Sequence, residues 1–269
     1  MMKAVRAFCL LCAVWGLCLA CSVKEERSGC PCYAEVDVGG FISAGFSRAL
    51  LFFSAEEPLL EEEINLREYE DDAYVTPLER RTNRAAVVAG VENSRIADDI
   101  LSVPSGLEAD PIWAFGETFF CGGDAYLIKA APHKQYCNME ISVAGLDAAD
   151  LYEFSFRVIA DCNGLKLYDR TAVEGAYSCF ARRSATGAFN VRIPRQSGGR
   201  ILLEVYRDSS PDVQEPVLVT EVGAEMLRNG YDWSREDLLD VSVGLDYSAA
   251  EVTIKIKDWI YDEFWNVQI

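Results

Sequence analysis

The chain has 269 residues, with 25 Lys or Arg against 43 Asp or Glu, a formal net charge of −18, and half of its residues are hydrophobic. No basic face is on offer to release counterions from a polyphosphate, which excludes nucleic acid as a partner, and the apolar content excludes general disorder. The single histidine, His133, makes any imidazole-based hydrolase depend on one residue and rules out a His-rich zinc site.

Met1 to Ala20 has a positive start (Lys3, Arg6) and then an apolar stretch from Ala7 to Ala20 without an acid. This is the layout of a secretory signal, shorter than the ~20 residues a transmembrane helix needs. The segment ends Cys18-Leu19-Ala20-Cys21 and resembles the bacterial lipoprotein signal, in which the cysteine is acylated and becomes residue one. It departs from that pattern in placing Cys18 where leucine normally stands. Cys21 is thus the expected lipid attachment site, with a plain secreted protein cut nearby as the alternative. Each buried methylene of an acyl chain is worth ~0.8 kcal/mol, so two or more chains anchor stably. The following Ser22-Val23-Lys24-Glu25-Glu26-Arg27 resembles a surface-export tag of Bacteroides-group lipoproteins; read from composition alone it is a solvated tether.

Once Cys9, Cys12 and Cys18 leave with the signal and Cys21 carries lipid, six cysteines remain: Cys30, Cys32, Cys121, Cys137, Cys162 and Cys179. An even number in an exported chain points to disulfides, with fifteen pairings open. Cys121 with Cys137 and Cys162 with Cys179 are the short local options, each closing a loop of about 16 residues worth on the order of 3 kcal/mol. Cys30 and Cys32 lie too far apart for each other if extended. A metal site at Cys30-Pro31-Cys32 lacks the two-residue spacer and a second cysteine pair.

Along the mature chain the dominant period is two. Ala34, Val36 and Val38 alternate with Tyr33, Glu35 and Asp37, as a half-buried strand should. Arg80-Arg81 and Arg84 fall in a long connection, and Gly122-Gly123 reads as a turn rather than a phosphate cradle, because no helix signal or Lys-Ser/Thr follows. His133 sits in a turn before the next alternating set, Met139, Ile141 and Val143. Further sets follow at Phe154, Phe156 and Val158, and at Phe189, Val191 and Ile193. A short helix fits Ala224 to Asn229, with Gly230 as its stop. Ser234-Arg235-Glu236-Asp237 has the form of an N-cap with an acid three residues on, predicting a helix of about two turns after Trp233. Val241, Val243, Leu245 and Tyr247, then Val252, Ile254 and Ile256, form a closing hairpin across Ser248 to Glu251.

Strands at even spacing separated by turn residues predict an all-β protein of two tandem antiparallel β-sandwiches. Placing the boundary in the polar stretch Gly145 to Asp150 gives a signal over 1–20, an acylated tether over 21–31, an N-terminal sandwich over 32–146 and a C-terminal one over 150–269.

The lipoprotein start, Cys30-Pro31-Cys32 leading into a strand, Pro194-Arg195-Gln196 closing one, Gly230-Tyr231-Asp232-Trp233 followed by Leu238 and Asp240, and a last strand ending Asp258-Trp259 together resemble the FimB-like fimbrial anchor subunits of the Bacteroides group. The resemblance implies two transthyretin-like sandwiches, a lipid anchor in the outer membrane with the chain exposed at the cell surface, and no catalysis or cofactor. It implies fimbrial shaft or accessory subunits as partners, joined by a strand added to an open sheet edge. Shaft subunits of similar families are activated by an arginine-specific protease; at Arg80-Arg81 and Arg84 the reading kept is a solvated loop.

Two rivals stand beside this reading. Paired carboxylates can perform glycosidase chemistry without histidine, yet with 43 acids some pairs are inevitable, and Asp71-Asp72, Asp98-Asp99 and Glu61-Glu62-Glu63 read as surface charge. The stronger rival is a glycan-binding surface lipoprotein, in which Trp113, Trp233, Trp259 or Trp265 would form a stacking platform. Aromatics lined along one sheet would favour it; unpaired strand backbone beside an apolar groove would favour strand acceptance.

Overall fold

The computed structural model describes residues 29–55, 60–145, 150–185, 187–207, 215–246 and 251–257. The signal, Cys21, the tether up to Ser28, and Tyr247, Trp259 and Trp265 lie outside these. In the first half the strands are β1 (Cys32–Asp37), β2 (Arg48–Ser54), β3 (Leu60–Asn65), β4 (Tyr74–Leu78), β5 (Thr82–Ala89), β6 (Arg95–Ala97), β7 (Ile100–Ser102), β8 (Trp113–Phe120), β9 (Ala125–Lys129) and β10 (His133–Lys134). The second half holds β11 (Tyr136–Ala144), β12 (Phe154–Lys166), β13 (Ala172–Phe180), β14 (Arg182–Arg183), β15 (Phe189–Pro194), β16 (Ile201–Arg207), β17 (Leu218–Glu221), β18 (Asp240–Asp246) and β19 (Glu251–Lys257). Two short α-helices, α1 (Gly39–Ser43) and α2 (Val222–Arg228), complete the set with two 3-10 turns.

Four sheets result. The order β4-β1-β9 faces β10-β8-β5-β2-β3 to make the first sandwich, and β14-β15-β11-β18-β19 faces β17-β16-β12-β7-β6, with β13 on the other side of β12, to make the second. The all-β architecture is as expected. Pairing is antiparallel except that β1 runs parallel to β9, and β11 parallel to β18. β1 and β11 are therefore each flanked by one antiparallel and one parallel neighbour. Local alternation does not record strand direction, so these parallel pairs were not expected.

Alternation predicted the inward faces correctly. Ala34 and Val36 on β1, Met139 and Ile141 on β11, Phe156 and Val158 on β12, Val191 and Ile193 on β15, and Val241 and Val243 on β18 are all buried. One core gathers Cys32, Ala34, Val36, Leu51, Phe53, Phe119 and Cys121; another gathers Cys137, Met139, Phe156, Phe189, Tyr231 and Trp233. The predicted boundary at Gly145 to Asp150 moves as a consequence. β11 pairs with β15 and β18 and lines the second core, so the chain changes sandwich at Gln135, while β6 and β7 have already joined the second sandwich beside β12.

A third cluster, with Phe52, Ala86, Val88 and Ala114 on one side and Leu101, Leu165, Leu167 and Tyr168 on the other, packs the outer face of the β10-β8-β5-β2-β3 sheet against the second sandwich. β2 and β5 are therefore buried on both faces and carry continuous apolar runs, Leu50 to Phe53 and Ala85 to Ala89. Gly116 marks the closest approach, since a Cβ there would stand 2.2 Å from the Tyr168 carbonyl oxygen.

The predicted helix at 224–229 is α2, and Gly230 ends it in the left-handed region at φ 86°. The helix predicted from Ser234 is absent; residues 233–237 form turns. Its capping oxygen is diverted, because the Ser234 amide and hydroxyl both donate to Asp232 Oδ1, and its carbonyls are taken by Arg195.

Candidate anchoring and assembly site

Part of the set that carries the family resemblance, Arg195, Gln196, Tyr231, Trp233 and Asp240, lies in one buried polar network. Arg195, 6% exposed, follows β15; its Nε donates to Gln135 Oε1 at 2.9 Å, one terminal nitrogen donates to the Trp233 carbonyl, and the other donates to the carbonyls of Arg235 and Glu236 at 2.8 and 3.0 Å. Gln196 behaves as a strand made of one side chain: its Oε1 accepts from the Cys162 amide at 3.0 Å while its Nε2 donates to the Cys162 carbonyl at 2.9 Å. Asp237 accepts from the Lys134 amide at 2.8 Å, and Asp240 accepts from the Asn138 amide at 2.7 Å and pairs with the Lys134 ammonium. Tyr231 donates its hydroxyl to the Leu239 carbonyl at 2.8 Å, and burial drives its pKa upward. Most of these contacts satisfy backbone groups that regular ladders leave open.

His133 lies in β10 rather than a turn, half-buried, with Nδ1 3.2 Å from Asp237 Oδ2. The sequence had offered it no partner, because Asp237 lies 104 residues away. Trp233 is 6% exposed and packs on Tyr231 with ring centroids 4.6 Å apart, and Trp113 packs half-buried against the first core. Among the described residues the strongly exposed aromatics are Tyr33, Phe120 and Tyr152, on three separate elements, and they form no line along one sheet. No group of three or more His, Cys, Asp or Glu among the described residues is placed to hold a metal ion.

Neither of the two short disulfides is formed. Cys121 is bonded to Cys32, 89 residues away, with Cα atoms 5.9 Å apart. Cys137 faces the second core while Cys121 faces the first, and Cys162 stands opposite Glu174 while Cys179 stands opposite Val158, four places along the same ladder. Cys137, Cys162 and Cys179 are free and buried, and desolvation pushes the Cys137 thiol up to about 12. Cys30 is free and exposed.

The tether enters the first sandwich at this disulfide. Arg80, expected in a solvated loop, has a side chain only 14% exposed. Its Nε donates to the Cys30 carbonyl at 2.9 Å, one terminal nitrogen donates to the Gly122 carbonyl at 3.1 Å, and the other pairs with Asp124. Gly122 and Gly123 form a turn, as predicted, joining β8 to β9.

Edges available for strand addition differ in their protection. β3 presents Glu61, Glu62 and Glu63, all exposed, so its edge is guarded by charge. β17 pairs only with β16 among the described residues, and Val217 and Val219 there are each 49% exposed, with no Lys, Pro or bulge from 217 to 221. No helix among the described residues is long and apolar enough to cross a membrane.

The chain matches no protein-family model and no curated protein. Solved structures do match. The fimbrial anchor protein Mfa2 from Porphyromonas gingivalis superposes with a TM-score of 0.59 at 10% identity, over 86% of this chain and 98% of that one. A candidate polysaccharide-binding protein from Bacteroides thetaiotaomicron gives 0.60 at 10% identity over 86% and 96%, and a candidate adhesin from Bacteroides ovatus gives 0.58 at 9% over 86% and 94%. The chain therefore shares its fold with the Mfa2 fimbrial anchor and with these two Bacteroides proteins.

Proposed function

We propose that this protein is a lipid-anchored, non-enzymatic fimbrial subunit of the outer membrane, held through Cys21, that tethers a fimbria by accepting a strand from a neighbouring subunit. The observation that carries the reading is the match to Mfa2 over nearly the whole of both chains, joined to a lipoprotein-like signal ending at Cys21. The free edge of β17, with its exposed valines, is the acceptor this reading favours, because main-chain hydrogen bonds would supply affinity and alternate side chains specificity. Glycan binding draws support from the candidate polysaccharide-binding neighbour, but the described aromatics provide no platform for it.

The test is co-purification from outer membranes, comparing the intact protein with Cys21→Ala and with Val219→Glu. Anchoring predicts that fimbrial subunits come down with the intact protein and appear in the medium with Cys21→Ala. Acceptance at β17 predicts that Val219→Glu stays in the membrane and loses them. Recovery of carbohydrate-handling proteins instead would sink the reading.

A further inference from the structure

The root of the tether carries more hardware than the fold requires. Cys32 is the first residue of β1 and is bonded to Cys121, the residue after β8. Arg80 straddles the same point, holding the Cys30 carbonyl on the tether side and the Gly122 carbonyl and Asp124 carboxylate on the body side. The turn is tied in once more, because the Cys121 amide donates to the Arg81 carbonyl at 3.0 Å and the Tyr33 amide to the Asp124 carbonyl at 2.9 Å.

Consider tension arriving from the N-terminal side. β1 lies between β4 and β9, in register over five residues with each. With no crosslink, a pull on residue 30 would load the end of β1 first and break its ladder one residue at a time. The disulfide intercepts that pull at Cys32, before the ladder, and passes it to Cys121. From there it runs on to residue 122, so residues 33–120, with the β1 ladders and the eight-residue β5–β8 ladder from Thr82–Phe120 to Ala89–Trp113, lie inside the closed loop and outside the load path.

We propose that Cys32–Cys121 and Arg80 form a mechanical latch, which carries tension from the membrane tether directly to the chain after Cys121 and keeps the ladders of residues 33–120 unloaded. The inference rests on the anchoring reading, since only an anchored subunit is pulled from this end. The latch also withholds length: the span from Cys32 to Cys121, a separation of 89 residues, stays closed, hiding about 310 Å of chain at ~3.5 Å per residue.

Single-molecule pulling of the full mature chain, held at its two ends under constant force, tests this. Untreated protein is compared with Cys32→Ser/Cys121→Ser and with Arg80→Met. In the double variant the unfolding step of the first sandwich lengthens by about 310 Å and its lifetime under load falls by about tenfold or more, the loss of a few strong contacts at the loaded point. Arg80→Met shortens the lifetime without changing the step. Should the double variant not fold, protein folded with its disulfide and then reduced reads the same quantity. Equal lifetimes despite the longer step overturn the latch. The mass of the Cys21 peptide separates the two ideas: an acylated Cys21 with equal lifetimes leaves the anchor standing and removes the latch, whereas an unacylated Cys21 with a shortened lifetime removes the anchor alone.

Discussion

Arg195 offers the sharpest quantitative test of how the second sandwich is held. Its guanidinium satisfies the carbonyls of Trp233, Arg235 and Glu236 and the side-chain oxygen of Gln135, all in a site where Arg195 itself is 6% exposed. Arg195→Met fills most of the volume and leaves those oxygens without a donor. Each buried group so orphaned costs about 1–3 kcal/mol, and partial hydration of the 233–237 turns offsets some of that, so the expected loss is about 4 kcal/mol. Arg195→Lys keeps the charge, but one ammonium does not reach across the fork, and about half the loss should remain. Urea unfolding followed by tryptophan fluorescence, to which buried Trp233 contributes, reads the change. With a slope of about 2.5 kcal/mol per molar, the midpoint should fall by about 1.6 M for Arg195→Met. A fall below about 0.4 M, or an Arg195→Lys variant as unstable as Arg195→Met, would refute the claim that the fork's geometry holds the turn.

Two further outcomes follow from the same contacts. On folded mature protein lacking lipid and carrying Cys21→Ser, an iodoacetamide or maleimide probe should label Cys30 quickly and label Cys137, Cys162 and Cys179 only on unfolding; fast labelling of a second thiol would contradict their burial. Asp110, 1% exposed, would have its pKa raised by burial, but the amides of Glu92, Asn93 and Ser94 outweigh this and hold it below the ordinary carboxylate range. A depressed folded-state pKa contributes stability above the unfolded value of about 3.9, lost as pH falls through the lower folded value. The unfolding midpoint of the intact protein should therefore drop more steeply below about pH 4 than that of Asp110→Asn, and parallel curves would contradict this.

What the sequence made legible depended on whether one face of an element meets water. β1, β11, β12, β15 and β18 alternate because each has a solvated or polar side, and their inward residues could be named outright. β2 and β5 could not be read this way: Phe52, Ala86 and Val88 on their outer faces are covered by Leu165, Leu167 and Tyr168, which erases the period of two. The capping pattern at Ser234 was a sound local signal defeated from a distance, by a guanidinium 38 to 41 residues earlier. The disulfide failed for the same reason, since short loops look favourable in sequence, while the pair that forms spans 89 residues. Arg80 looked like a loop residue because its three partners lie 42 to 50 residues away.

Several of the residues that made the chain look familiar are buried, and this bears on where specificity resides. Pro194, Arg195, Gln196, Tyr231, Trp233 and Leu238 are all inside, and Arg195, Gln196 and Tyr231 bond backbone groups of the same molecule. Such residues select a fold, because removing one strands several buried groups at once, but they present nothing to a partner. A chain can therefore keep such a frame while its surface diverges. Under the proposed strand addition, choice of partner would lie in exposed edges such as β3, closed by three glutamates, and β17, which carries exposed Val219. Under that division a substitution on β17 should change what the protein holds without changing how stably it folds, and a substitution at Arg195 should do the reverse.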